Sequence, residues 1–544
     1  MAPHPSSTSV ASPAGTGARP LPRAAAGLAL VVSAALMTSC FGGTADTGVQ
    51  SGAPATGDLP DAAVQVMAKP EYANAAWHIA VSDLETGTAL VDLAGDVMAE
   101  PASFTKSYSV GAAWLRWGPD HTVTTPVKRT GEVTGGVLDG DLVLVGKGDL
   151  TMGGRTKADG TVDFANFDHN DANPVPGATL TPEDPLTGLN DLAAQVRASG
   201  ITSVTGGVTV DDRLFQGQLA GEPITPIIVN QNILDVLITP GEAGAPATVE
   251  LTPAVAPWEI VNQVTTVAAG ADAKVEDPVA AAPGQIVVSG SVAAGSAPQL
   301  KTFLLKDPST FARTAFIEAL GRAGVSVAAD PLAVNDSSTL PETAAVDALP
   351  DVARLVSLPL SEEATYVMKI SYNRGAQTLI CLLAVDSGKK DCEDGLGVAG
   401  RLWADAGLDT DGASLVDGSG LAGNYITAAN GVELQRIMAA RPDADQWKST
   451  MPVLGVDGSL ESVQKDSPAA GKVFAKTGTL VGGDLMNGRT RLNTKALGGV
   501  MEAKSGRRLA FVIIVNQGFV DGIQGVLAAN DDVGAVAAAI QQAY

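Results

Sequence analysis

Pro101-Ala102-Ser103-Phe104-Thr105-Lys106-Ser107-Tyr108-Ser109-Val110-Gly111 is the stretch that decides how this chain is read. Pro101-Ala102 breaks the run before it. Ser103 then opens a segment reaching Trp117, in which Phe104, Tyr108, Val110, Trp114 and Leu115 recur as in a buried helix. Positions i and i+3 share one helix face, so the Lys106 amine can reach the Ser103 hydroxyl. A helix N-terminus favours negative charge and offers backbone N–H groups to an oxyanion. To act as a base Lys106 must be neutral, and burial or a neighbouring cation such as Lys476 lowers a lysine pKa. S-x-x-K alone is weak: Ser387 to Lys390 and Ser462 to Lys465 also match, but neither opens an apolar helix after a strand pair. The plain alternative makes Ser103 a helix cap and Lys106 a solvated first-turn charge.

Two further motifs follow in order. Ser371-Tyr372-Asn373 falls in the break between helical stretches at 361–370 and 374–386. There Ser371 can relay a proton to a leaving amine, and Asn373 can orient Lys106 or a substrate amide. Lys476-Thr477-Gly478-Thr479 ends a strand that begins at Gly471. Lys476, Thr477 and Thr479 can hold a free carboxylate, Gly478 allows a close backbone approach, and the Thr479 N–H is a second oxyanion donor. Together, S-x-x-K, S-x-N and K-T-G resemble the signature of penicillin-binding proteins and serine β-lactamases.

Three more stretches narrow the resemblance: Gly140-Asp141-Leu142-Val143-Leu144-Val145-Gly146 with Gly148-Asp149, Val416-Asp417-Gly418-Ser419-Gly420-Leu421, and Met451 to Leu460, reading MPVLGVDGSL. From about residue 71 onward the chain is similar to the D-alanyl-D-alanine carboxypeptidase/endopeptidase family of class C penicillin-binding proteins. The interval from Asn373 to Lys476 suits compact relatives of the wider superfamily. That from Lys106 to Ser371 is far longer than a β-lactamase would use, and this family carries such an insertion. Lys147 stands where the family usually has glycine. Ala422-Gly423 replaces a common Ser-Arg, which bears on the peptide side chain accepted.

The resemblance implies a serine peptidase working through an acyl-enzyme on Ser103, with Lys106, Ser371 and Asn373 catalytic and Lys476 to Thr479 binding substrate. Its substrates would be peptidoglycan stem peptides ending in D-Ala-D-Ala, or D-alanyl cross-links. Penicillins would acylate Ser103 and stay attached. No metal or organic cofactor is implied. The alternatives are a serine β-lactamase or esterase, and a non-catalytic envelope lipoprotein that binds peptidoglycan through the insertion.

The expected fold is α/β: a penicillin-binding, β-lactamase-like domain with an antiparallel sheet flanked by helices, interrupted by a mostly-β insertion of two subdomains. Trp77 to Asp83 and Ala89 to Leu93 alternate as a hairpin. Residues 126–350 turn rich in Gly, Pro, Thr and Val, with helical stretches near 185–198 and 309–323. Helical patterns return at 361–370, 374–386, 395–406 and 429–440. Strands are expected at 496–503 and 508–516, and a closing helix at 528–544. The catalytic domain is therefore drawn from 71–125 and 351–544, around an insertion at 126–350.

Composition excludes other classes. The chain has 544 residues, a formal charge of −24, four histidines and three cysteines. A nucleic-acid binder needs a basic stripe. No H-E-x-x-H, C-x-x-C or G-x-S-x-G occurs, which disfavours a zinc site or a nucleophile-elbow hydrolase. If the chain is an enzyme, its base is not expected to be histidine. Arg19 and Arg23 precede an apolar run from Ala24 to Met37, shorter than the ~20 residues of a bilayer span but suited to a signal peptide. Met37-Thr38-Ser39-Cys40 resembles a bacterial lipobox, with Cys40 lipidated. Residues 1–39 read as an export signal and 40–70 as a tether, placing the protein at the outer face of a bacterial membrane or, without lipidation, as a secreted protein. Cys381 and Cys392 then form an even pair in an oxidising compartment, read as a disulfide, with two free buried thiols as the alternative.

Overall fold

The computed structural model describes residues 59–544. The leader, Cys40 and most of the tether lie outside the described residues. Both ends of the described chain build one antiparallel sheet. Its strands are β1 (Ala76–Asp83), β2 (Ala89–Leu93), β3 (Val473–Asp484), β4 (Arg489–Glu502) and β5 (Arg508–Val520), in spatial order β2-β1-β5-β4-β3. β5 shows why a nearly unbroken apolar run folds as a central strand. Its side chains alternate between faces. Leu509, Phe511, Ile513 and Val515 enter one core, and Ala510, Val512 and Ile514 enter the other. Helices cover both faces, so neither set meets water.

On the first face lies α1 (Asp61–Met67), and the C-terminal helix packs there too. The tether expected over 40–70 is thus too long, because Asp61–Met67 is helical and its Ala63 is fully buried. So short a helix is marginal by its own propensity and depends on this packing, which its pattern does not announce. On the second face lie α2 (Lys106–Trp117), α3 (Leu360–Lys369), α4 (Asn373–Asp386), α5 (Asp394–Asp405) and α6 (Ala428–Ala439); α7 (Gly522–Ala543) is the C-terminal helix of the first face. Trp114 of α2 is wholly buried and meets Trp447 edge-on, with ring centroids 5.6 Å apart. A large apolar side chain buried this fully contributes at least ~1.5–3 kcal/mol, which fixes α2 beneath the sheet.

Between α2 and α3 the chain forms several small sheets. Thr124–Arg129 pairs antiparallel with Asp351–Val356, drawing the two ends of this region together. Thr187–Ala198 and Pro308–Arg322 are helices. One buried cluster runs from Val127 through Leu144, Val236 and Phe316 to Ala353. A short turn, His169–Asp171, leaves this core toward the catalytic helices.

Cys381 on α4 is joined to Cys392 before α5 (S–S 1.99 Å), and both are buried. Among the described residues, no helix is long and apolar enough to cross a membrane.

Candidate active site

Ser103 does not open α2 itself. It sits in a tighter turn, Ala102–Thr105, and α2 begins at Lys106. The i, i+3 geometry survives: the Lys106 amine donates to Ser103 Oγ at 2.9 Å. Ala102 takes a left-handed conformation (φ 45°), a strain of order 1–3 kcal/mol at a non-glycine residue that the surroundings must enforce. Two glycines do so. A Cβ on Gly478 would lie 2.3 Å from the Pro101 carbonyl oxygen, and one on Gly420 would lie 1.9 Å from that of Ala102. No side chain fits at either place, so strand and loop close directly on the turn carrying Ser103.

Lys106 is fully buried. Besides Ser103 it donates to Asn373 Oδ1 at 2.6 Å and to the Ser419 carbonyl at 2.8 Å. All three partners are neutral. Burial lowers its pKa from 10.5 to about 7, against the opposing pull of Asp417 and Asp171. A neutral amine in contact with a hydroxyl can take its proton. The cation effect expected from Lys476 falls mainly on Lys476 itself. Its pKa is driven well below the usual lysine range by burial, then by Lys106 and Lys495.

Ser371 and Asn373 flank the break between α3 and α4, as the sequence suggested. Ser371 has φ 61°, again left-handed, and accepts from the Lys476 amine at 3.0 Å. With its oxygen engaged by Lys476, the Ser371 hydroxyl can send its own proton outward. Lys476 to Thr479 do not end their strand. β3 continues to Asp484 because β4 pairs with it along its whole length, shifting register only between Leu480 and Val481. Thr477 Oγ1 lies 2.7 Å from Ser459 Oγ.

Four contributors lie outside the three motifs. Asp417 accepts from the backbone N–H groups of Ser419, Gly420 and Leu421, and so aims the Ser419 carbonyl at Lys106. Ser459 buttresses Thr477. Both Asp417 and Ser459 sit in stretches that carry the family resemblance, which assigns them no role. Asp171 lies in the stretch between α2 and α3, yet Lys106 and Lys476 both act on it, and burial raises its pKa to about 6. Lys495 of β4 stands opposite Thr479 and donates to its Oγ1 at 2.6 Å. Only the strand register reveals it. Neither further S-x-x-K joins the cluster: Ser387 bonds the Ala384 carbonyl at the end of α4, and Ser462 lies in a turn.

Known proteins are similar to this chain over most of its length. The model of the D-Ala-D-Ala carboxypeptidase 3 (S13) family matches residues 61–533. A D-alanyl-D-alanine carboxypeptidase of Actinomadura sp. (strain R39) is 30% identical over 88% of this chain and 86% of its own. The carboxypeptidase DacB of Mycolicibacterium smegmatis is 25% identical over 90% of each chain. Among solved structures, penicillin binding protein 4 from Haemophilus influenzae has the same fold, with a TM-score of 0.66 at 18% identity, covering 87% of this chain and 98% of that one. The chain therefore belongs to the D-Ala-D-Ala carboxypeptidase 3 (S13) family, and is a serine-type D-Ala-D-Ala carboxypeptidase.

Proposed function

We propose that this enzyme removes the terminal D-alanine of peptidoglycan stem peptides through an ester on Ser103, and that it also opens D-alanyl cross-links by the same chemistry. The observation that carries this reading is the 2.9 Å contact between Ser103 Oγ and a Lys106 amine whose surroundings lower its pKa to about 7. Lys106 takes the Ser103 proton as Oγ attacks the carbonyl between the two D-alanines. The Ser103 and Thr479 N–H groups stabilise the oxyanion. Ser371, held by Lys476, relays the proton taken by Lys106 to the departing amine and so ends as a hydroxyl again, and Asn373 keeps Lys106 aligned. Lys476, Thr477 and Thr479 hold the carboxylate, with Gly478 letting the strand approach. Water then attacks the ester and frees the shortened peptide.

Penicillins would acylate Ser103 by the same attack and remain bound, a reading supported by a structure of the Haemophilus relative complexed with a β-lactam. The catalytic domain would comprise 71–125 and 351–544, with 126–350 inserted as two subdomains. The strand pairing of 124–129 with 351–356 supports this division. Export by the leader, lipidation at Cys40 and a Cys381–Cys392 disulfide formed outside the cytoplasm complete the reading.

A fluorescent penicillin, applied to the parent and to Ser103→Ala, tests the centre of it. Labelling of the parent alone is expected. An unlabelled parent defeats the acyl-enzyme, and a labelled Ser103→Ala means that another serine reacts. D-alanine release from a stem pentapeptide, set against turnover of a chromogenic cephalosporin, separates peptidase from β-lactamase. Products from purified sacculi test the cross-link cleavage. Metabolic lipid labelling, lost in Cys40→Ser, tests the anchor.

A further inference from the structure

Lys495 has no part in the chemistry above, yet it is placed as though it had one. It lies on β4, directly opposite Thr479 of β3. Its side chain is buried, at 4% exposure, whereas Thr479 is exposed. Burying an ammonium group is costly unless charge or hydrogen bonding compensates. Here the hydrogen bond goes to a neutral partner, Thr479 Oγ1, at 2.6 Å. Burial lowers the Lys495 pKa to about 7, with Asp171 pulling the other way.

A threonine hydroxyl has one proton to donate and two lone pairs to accept with. When Lys495 donates into the Thr479 oxygen, the hydroxyl proton is left to point elsewhere. Thr479 is exposed at the end of the motif, so that proton is open to a ligand binding there. Lys476 sits three residues earlier on the same strand and is itself buried. The two amines thus stand along the Lys476–Thr479 segment, where a bound carboxylate would favour their protonated forms, in a protein whose overall charge of −24 repels carboxylates.

We propose that Lys495 is a positioning residue for carboxylate recognition: it fixes the Thr479 hydroxyl as a donor toward the free carboxylate of the departing D-residue and, protonated beside that carboxylate, adds positive charge to the site. The inference rests on the peptidase reading given above. It makes Lys495 a determinant of preference for substrates with a free C-terminus, acting through Thr479 and not on the scissile bond.

The test uses the full-length enzyme and two peptides, one ending in D-Ala-D-Ala as the free acid and one as its C-terminal amide. In Lys495→Met, kcat/KM for the acid should fall by roughly 10–30-fold, mainly through KM, the loss expected for a charge-assisted contact. The amide should fall by less than about threefold. Lys495→Arg should recover most of the loss, since a permanent cation can still donate to Thr479. Thr479→Val should lose acid preference even with Lys495 in place, and this variant carries the test if Lys495→Met does not fold. Equal losses on acid and amide, no recovery in Lys495→Arg, or an undiminished acid preference in Thr479→Val would each overturn the proposal. A parent enzyme that cleaves neither peptide would overturn the peptidase reading itself.

Discussion

Arg155, between α2 and α3, and Lys106 of α2 are both buried basic groups, but their partners differ in kind. Arg155 meets both oxygens of Asp168 at 2.9 Å, and the adjoining His169 bonds Asp235 at 2.9 Å. Burial pulls the guanidinium down, yet Tyr366, Asp168 and Asp235 more than compensate, and it is held charged. Lys106 meets a hydroxyl, an amide oxygen and a backbone carbonyl, none of them ionised. Desolvation then wins, and its proton is loosely held. The difference teaches what each cluster is for. Opposite charge next to a buried cation locks a structure together, whereas neutral oxygens leave the group free to exchange a proton.

The sharpest way to break the comparison is Lys106→Arg. It keeps the charge and the reach but removes the capacity to deprotonate. D-alanine release should fall about 10³-fold or more, close to Ser103→Ala. A variant retaining more than a tenth of parental activity would show that positive charge, not neutrality, is what the site needs.

Stability should respond in the opposite sense. Arg155→Met strands the Asp168 carboxylate in the interior and should cost about 3–5 kcal/mol in urea unfolding. Lys106→Met strands no carboxylate partner and should cost well under half as much, because catalytic groups are often unfavourable for folding. Equal costs would erase the distinction.

The pH dependence sharpens it further. Lys106 is an acceptor only when unprotonated, so acylation should rise with pH through about 7 and then level off. Stopped-flow acylation by a penicillin across pH 5–9 measures this, and a rate flat down to about pH 5 would contradict a lysine base. The smallest expected effect is in Asp171→Asn. The Asp171 carboxylate favours the protonated lysine, so its removal should move that midpoint to lower pH, by less than about one unit. A shift to higher pH would reverse the assigned sign.

What could be read from sequence tracks how local each feature is. The S-x-x-K contact spans one helical turn, so spacing alone placed Lys106 against Ser103. The helices after 351 and the strands at both ends announced themselves by period. The extent of β3 did not, because only pairing with β4 carries Lys476 to Thr479 into the middle of a strand. Asp171 and Lys495 were invisible for the same reason. One reaches the cleft from a separate core and the other through cross-strand register, and neither has a neighbour in sequence that betrays it. α1 shows the converse, a segment of weak pattern made helical by what it packs against.

The order in which the chain is made has a consequence for the sheet. β1 borders β5, which follows every motif residue in the chain. Until it arrives, β1 and β4 lack the strand between them, and the floor beneath Ser103 is incomplete. Contacts of such wide sequence separation form slowly, since a long loop must close before they repay its ordering. Any truncation before Arg508 should be inactive even though every motif residue is present.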